Sequence, residues 1–398
     1  MNTFHLSALP FEEARRLTLA KARFLGGERV ALQNSVGRVL AEDVKSDLDF
    51  PPFDKSAMDG YACRKRDLAL DLQVVEIIPA GRKPARRIGP GQCAKIMTGA
   101  MIPAGADCVF QVERSVQVGD RRVRFTGGVV PANICFQGED GRAGEVLAPK
   151  GAPITSRLVA VLASVGCTQP LVARRPKVGI IATGSELVDP AQRPGPGKIR
   201  NSNRPQLVAQ TAAAGAVPRG YRTARDTRRS IAALVGKALA ENDVVLVSGG
   251  VSAGDFDVVP DAIQELGLRI VFRKIAIQPG MPSLFAVAGR TWCFGLPGNP
   301  VSTFVIFDLL VKPFLLKLMG HDFRPPVSLI RLAGPVSRHK IERDSWVPVR
   351  TIGAAAAQPV PYHGSADFVA LAKADGLICI PKGVKGFAKG DWVAVRWI

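Results

Sequence analysis

Aromatic residues are scarce in this chain, at 6% of positions, and there are only four histidines. The 53 lysines and arginines are scattered and form no long basic run. Nucleic-acid-binding surfaces normally show such a run, or interleave it with aromatics. Both absences argue against nucleic acid as the partner. A net charge of +19 then suits a phosphorylated small molecule, an oxyanion or an acidic protein.

Metal and redox motifs are also missing. The seven cysteines (63, 93, 108, 135, 167, 293, 379) never form C-x-x-C. The histidines (5, 321, 339, 363) pair with neither each other nor a cysteine at ligand spacing. This argues against structural zinc and a disulfide framework, and for a reducing compartment. The start, "MNTFHLSALPFEEARR", has no apolar signal core, and the run "VSTFVIFDLLV" is short and carries Asp308. We therefore expect a cytoplasmic protein with no membrane association. The phosphate loop G-x-x-x-x-G-K-[ST], the dinucleotide fingerprint, the G-x-S-x-G elbow and H-E-x-x-H are all absent. Nucleotide-hydrolysing P-loop, dehydrogenase, α/β-hydrolase and zinc-protease readings lose their main support.

What is present is organised in blocks. The 398 residues predict about two to four domains. Forty glycines and thirty prolines predict many tight turns. Residues 10–25 read as a helix with Pro10 at its start and acidic residues in its first turn. From 51 to about 150, short apolar runs cut by Gly and Pro predict a small β unit, entered through "PPFDKSAMDGYA" and turned at Gly60. From 177, "KVGIIATG" and "DVVLVSGG" read as buried parallel strands. Helical segments alternate with them, and "DTRRSIAALVGKALAE" places Ile231, Leu234, Val235 and Leu239 on one face behind Thr227. In "NPVSTFVIFDLLVKPFLLKLMG", Asn299 is the expected cap, Pro300 the first helical residue and Pro313 a kink. After 322 the pattern is strand-like, a small barrel or sandwich.

In an open parallel α/β sheet, ligands bind beyond the carboxyl ends of the strands. Two such ends are "ATGSEL" (182–187) and "SGGVSAGDFD" (248–257). Consecutive glycines let backbone N–H groups converge on an oxyanion, and Ser248 and Ser252 add hydroxyls. Asp255 and Asp257 place negative charge at the same spot. A divalent cation bridging them to a phosphate would relieve that conflict, and hard oxygen ligands suit magnesium. A Gly-rich turn whose aspartates cap the next helix explains the spacing equally well. "GLPGNP" (295–300) taken alone is a tight turn before a helix.

Taken in order, "GRVLAEDV" (37–44), "PPFDKSAMDGYA" (51–62), "IMTGAMIPAGADCVF" (96–110), "GED" (138–140), "ATGSEL", "SGGVSAGDFD" and "GLPGNPVS" (295–302) resemble the MoeA-type molybdopterin molybdenumtransferases and the homologous gephyrin E domain. The resemblance spans nearly the whole chain. It implies a multidomain α/β plus β architecture. A discontinuous N-terminal unit (1–50 and 140–176) would carry an inserted β unit (51–139). A parallel three-layer α/β molybdopterin-binding unit (177–321) and a C-terminal β barrel (322–398) would follow.

The implied activity is insertion of molybdate into adenylated molybdopterin with release of AMP, with magnesium as cofactor, in a homodimer. The implied catalytic set is Asp59, Thr98, Asp140, Glu186, Asp226 and Asp257. Gly184, Asn203, Ser248, Gly249, Gly250, Ser252, Gln278, Pro297 and Pro300 would bind the pterin side, and Asp255 and Asp257 the metal. Asp59, Thr98 and Asp140 would come from the partner subunit. The molybdopterin-adenylating protein and molybdoenzyme acceptors are the implied partners. In this chain Gln278 and Met281 stand where the family often has lysines, and Arg350 and Ser365 are the stand-ins for the C-terminal arginine and serine. The altered lysines keep a second reading open: a molybdopterin-binding carrier or scaffold without the chemistry.

Overall fold

The computed structural model describes residues 8–251, 258–353 and 356–398. The α/β unit is built on a six-stranded sheet. Its order is Val217–Gly220, Lys177–Ala182, Val244–Ser248, Thr291–Leu296, Leu284–Ala288 and Arg269–Phe272. The first four strands pair in parallel, and Leu284–Ala288 runs against both neighbours. Strand residues are buried on both faces. Val178, Ile180, Leu246 and Phe294 enter one core with Leu207, Val305 and Phe314 from the helices Asn203–Ala213 and Pro300–Leu318. Ile181, Val245 and Val247 enter a second core with Ile231, Val235 and Ile263 from Arg228–Glu241 and Val259–Glu265. This double burial is why the strands read as continuous apolar runs. The helix Arg228–Glu241 starts at Thr227, whose hydroxyl accepts the Ser230 amide at 3.3 Å. Its apolar face is buried as expected, with Leu239 at the margin.

Three expectations are corrected. The first helix spans Phe11–Leu19, short of residue 25. Tertiary partners take the backbone groups beyond it: Trp292 Nε1 donates to Lys21 O at 3.0 Å, and Leu25 N to Leu318 O at 3.1 Å. That helix also packs elsewhere than the sequence division implied, because Phe11 and Ala14 sit in the α/β core. Gly60 is a strand residue rather than a turn. A Cβ there would lie 2.1 Å from Phe110 O, so glycine is needed for a close backbone approach.

The first and inserted units form nested ladders. Gly27–Arg29 pairs with Leu171–Ala173, Val44–Lys45 with Val146–Ala148, and Lys55–Ser56 with Ile134–Cys135. The chain thus runs out along one leg and returns along the other. At the far end is a second six-stranded sheet, with Gly60–Cys63 between Cys108–Gln111 and Gln92–Ile96.

The C-terminal strands Val327–Leu332, Asp344–Ile352, Ala356–Pro359, Gly376–Ile380 and Trp392–Trp397 close on themselves, giving a barrel rather than a sandwich. Leu332, Val349, Ile378 and Val395 fill it. Two features join it to the α/β unit. Ile277–Gln278 pairs with Asp344–Ser345. The helix from Pro300 widens into a π turn at Phe307–Val311 before resuming at Lys312. Pro313 has no N–H to give and its ring would press on the Leu309 carbonyl, and the wider turn removes that conflict. The π turn presents buried Asp308, which accepts Arg396 Nε at 2.7 Å and Lys312 Nζ at 3.1 Å. Arg396 also donates to Asp308 O at 2.8 Å.

Removing one partner of a buried pair leaves the other charge uncompensated, at a cost of about 3–5 kcal/mol. Asp308→Leu should therefore lower the thermal midpoint by several degrees in calorimetry, with the barrel loosening first. A midpoint equal to wild type would show that Arg396 finds other partners.

Candidate active site

Three loops meet at the carboxyl ends of the central strands: the segments after Ala182, Ser248 and Leu296. Backbone bonds fuse them, with Thr183 N donating to Ser248 O at 2.8 Å and Gly249 N to Leu296 O at 3.0 Å. The Asn203 side chain, at the start of its helix, ties the loops together. Its Nδ2 donates to Ser248 Oγ at 2.8 Å and Gly298 O at 2.7 Å. Ser248 Oγ and Thr303 Oγ1 both donate to Pro297 O, at 3.1 and 2.6 Å.

Above this floor lies a cleft of about 770 Å³. Of the sequence-selected residues, Asn203, Ser248, Gly249, Gly250 and Pro300 line one side of it, and Gly184, Glu186 and Asp226 also border it. Gly249 has φ +97, and a Cβ there would lie 2.7 Å from Thr183 O. Asp226 braces the "ATGSEL" turn: its Oδ2 accepts Ser185 N at 2.7 Å. Two buried polar atoms in the floor, Thr183 Oγ1 and Asn203 Oδ1, have no partner among the described residues. An orphaned buried group costs about 1–3 kcal/mol.

A second cavity of about 560 Å³ adjoins the first through Gly298 and Asn299. Gln278 and Pro297 line it, with Met281, Arg343 and Ser365. The C-terminal arginine at this site is thus Arg343. Arg350 is exposed on a barrel strand and borders neither cavity. Arg343 Nη1 lies 3.3 Å from Met281 Sδ, so a cation comes to the place where the lysines are missing. Ser365 lines this second cavity, and Asn299 is not a side-chain cap. Asn299 Nδ2 donates instead to Ser365 Oγ at 2.7 Å.

Lys198 and Arg200 border the large cleft and were missed by the sequence reading. The one available signal was "GPGKIRNSN", a Gly-Pro loop carrying cations into a helix start. Lys198 Nζ donates to Ser185 O at 2.7 Å, so the cation is fixed against the turn bearing Glu186.

Asp59, Thr98 and Asp140 border neither cavity of this chain. Asp59 and Thr98 do meet: Asp59 Oδ1 accepts both the Thr98 amide and hydroxyl, each at 2.7 Å. These bonds, the amide first, hold the Asp59 carboxyl below the usual aspartate range. Asp140 lies on the returning leg, its amide donating to Phe50 O at 2.9 Å. Asp54 is a tether, with Oδ1 accepting Gln137 N at 2.8 Å. Ser252, Asp255 and Asp257 lie outside the described residues. Among the described residues, no three His, Cys, Asp or Glu side chains are grouped as a metal site.

The fold and cleft are those of a molybdopterin-binding α/β protein. Residues 179–317 match the model of a probable molybdopterin-binding domain. Residues 9–166 match the MoeA N-terminal region, domains I and II, and 331–396 the MoeA C-terminal region, domain IV. The molybdopterin molybdenumtransferase of Staphylococcus epidermidis is 36% identical over 380 residues, covering 92% of this chain and 90% of that one. The Bacillus subtilis protein of the same name is 35% identical, over 98% and 94%. The crystal structure of a molybdopterin biosynthesis MoeA protein from Pyrococcus horikoshii OT3 superposes with a TM-score of 0.85 at 30% identity, covering 98% of this chain and all of that one. This chain belongs to the MoeA family.

Two outcomes follow from this geometry. Gly249→Ala combines a left-handed φ with a clash on Thr183, a strain of about 1–3 kcal/mol. It should lower the unfolding midpoint and weaken ligand binding, and wild-type behaviour in both would contradict the tight floor. Because the Asp59 carboxyl is depressed in the folded state, its turn is intact at neutral pH. The turn loosens only as pH falls below the ordinary value of about 3.9 and through the lower folded one. The Thr98 amide resonance should move over that fall, and a resonance that tracks neutral-pH values throughout would show that the bond is not formed.

Proposed function

We propose that this protein inserts molybdate into adenylated molybdopterin, with hydrolytic release of AMP, to give molybdenum cofactor. The observation that carries the reading is the paired cavity: a glycine floor with two orphaned polar atoms joins a smaller pocket holding Arg343. Both substrates are anions, and Lys198, Arg200 and Arg343 supply the cations. Asn203, Ser248, Gly249 and Gly250 hold the pterin side and its phosphate, and Ser252, outside the described residues, is assigned the same role. Gly184 keeps its turn at the cleft edge tight, while Pro300 lines the large cleft and Gln278 and Pro297 line the smaller cavity beside it. Arg343 and Ser365 face the molybdate.

Glu186 and Asp226 offer oxygen donors at the acidic edge of the cleft, the ligand type that suits magnesium. Asp255 and Asp257 complete the metal edge in this reading. Magnesium, when bound, neutralises phosphate charge. The Asp59–Thr98 turn and Asp140 serve the cleft of a second copy, making the active form a homodimer. No described helix is long and apolar enough to cross a membrane. We place the protein in the cytoplasm, exchanging substrate and product with the molybdopterin-adenylating protein and with molybdoenzyme acceptors. The unit boundaries 1–50 with 140–176, 51–139, 177–321 and 322–398 are our working division, with the helix Phe11–Leu19 transferred to the α/β unit.

Purified protein given adenylated molybdopterin, molybdate and magnesium should release AMP in a molybdate-dependent way. Tight substrate binding with no AMP would favour the carrier reading. Asp59→Asn keeps an acceptor oxygen for Thr98, so it should fold normally. It should still lose about tenfold or more in turnover. A melting temperature far below wild type would make Asp59 a structural residue instead.

A further inference from the structure

Among the described residues, the large cleft has one aromatic side chain on its lining, Phe368, and it comes from the C-terminal unit rather than from the α/β unit. The α/β-unit phenylalanines Phe285, Phe294, Phe307 and Phe314 are all fully buried. Phe368 is 52% exposed. In a chain with so few aromatics, an exposed ring on the lining of this cleft calls for a cause.

The backbone that carries the ring is held in place by its surroundings. Phe368 opens the short helix Phe368–Leu371, whose Ala370 and Leu371 are buried, Leu371 in the α/β core. Asp367 caps that helix, accepting the Ala370 amide at 3.1 Å and the His363 amide at 3.2 Å. Three residues earlier, Ser365 is pinned to the cleft floor. It takes the Asn299 side chain at 2.7 Å, and its carbonyl takes the Val301 amide at 3.1 Å. The position of Phe368 is therefore referenced to the Pro297–Pro300 loop.

Within that loop, Gly298 comes up against the Gly249–Gly250 turn with no Cβ between them. A Cβ added at Gly298 would lie 3.8 Å from Gly249 Cα. A cleft with glycine backbone on one part of its lining and an aromatic ring on another suits a flat, π-faced ligand.

We propose that Phe368 stacks on a planar heteroaromatic ring of the bound substrate and so positions it. This rests on the functional reading above, and both the pterin and the adenine of adenylated molybdopterin have the required chemistry. The test is equilibrium binding of two probes, AMP and molybdopterin lacking the adenylate, to wild type, Phe368→Ala, Phe368→Leu and Phe368→Trp. At least one probe should bind about tenfold or more weakly to the Ala and Leu variants and near normally to the Trp variant. Which probe is affected identifies the ring. Thermal midpoints should stay level, and turnover at saturating substrate should change less than affinity. Wild-type affinity of both probes for Phe368→Leu would reduce the ring to an apolar cover and overturn the proposal. If wild type itself binds neither probe, this proposal and the functional reading fall together. If wild type binds and Phe368→Ala binds equally well, only this proposal falls.

Discussion

The Asn203 side chain is the constraint on which the site depends. One amide nitrogen holds the end of a sheet strand and the loop that begins the last α/β helix. The geometry of the glycine floor follows from that clamp, because Gly249 and Gly298 approach each other only if both loops are held down. The same residue leaves its oxygen buried, with no partner among the described residues. Evolution of a purely structural clamp would favour satisfying that oxygen, since an orphan carries a penalty of the same order as the bond it lacks. The clamp carries that penalty and holds both loops with one nitrogen.

The barrel contributes the rest of the site, and its placement has its own physical basis. Asp308 reaches Arg396 only because the helix before Pro313 opens into a π turn. That buried pair, the Ile277–Gln278 ladder and the Asn299–Ser365 bond all register the barrel against the α/β unit. Arg343 and Phe368 inherit their positions from this registration. The order of dependence runs from a proline, through a helical irregularity and an ion pair, to the walls of the cavities.

Much of the fold was legible in the chain itself. Strands buried on both faces and helices with one apolar stripe announce themselves by pattern, as Lys177–Ala182 and Arg228–Glu241 did. Leu284–Ala288 did not, because "SLFAVAG" gives no sign of direction and its antiparallel pairing is set by the neighbours it meets. The first helix looked longer than it is because Trp292, far along the chain, captures Lys21 O. The floor of the site was read correctly as a glycine turn at strand ends. Arg343 was not found, since nothing local distinguishes it from Arg350; only barrel closure puts one at the cavity and the other in solvent. The Asp59–Thr98 bond joins two motifs that were each recognised, but their contact is a property of the sheet between them.

The most direct measurement is a crystal structure of the protein with adenylated molybdopterin bound. The bound ligand is predicted to lie in the cleft above Gly249 and Gly250, against the two loops that Asn203 holds together. A ligand bound elsewhere would contradict this placement.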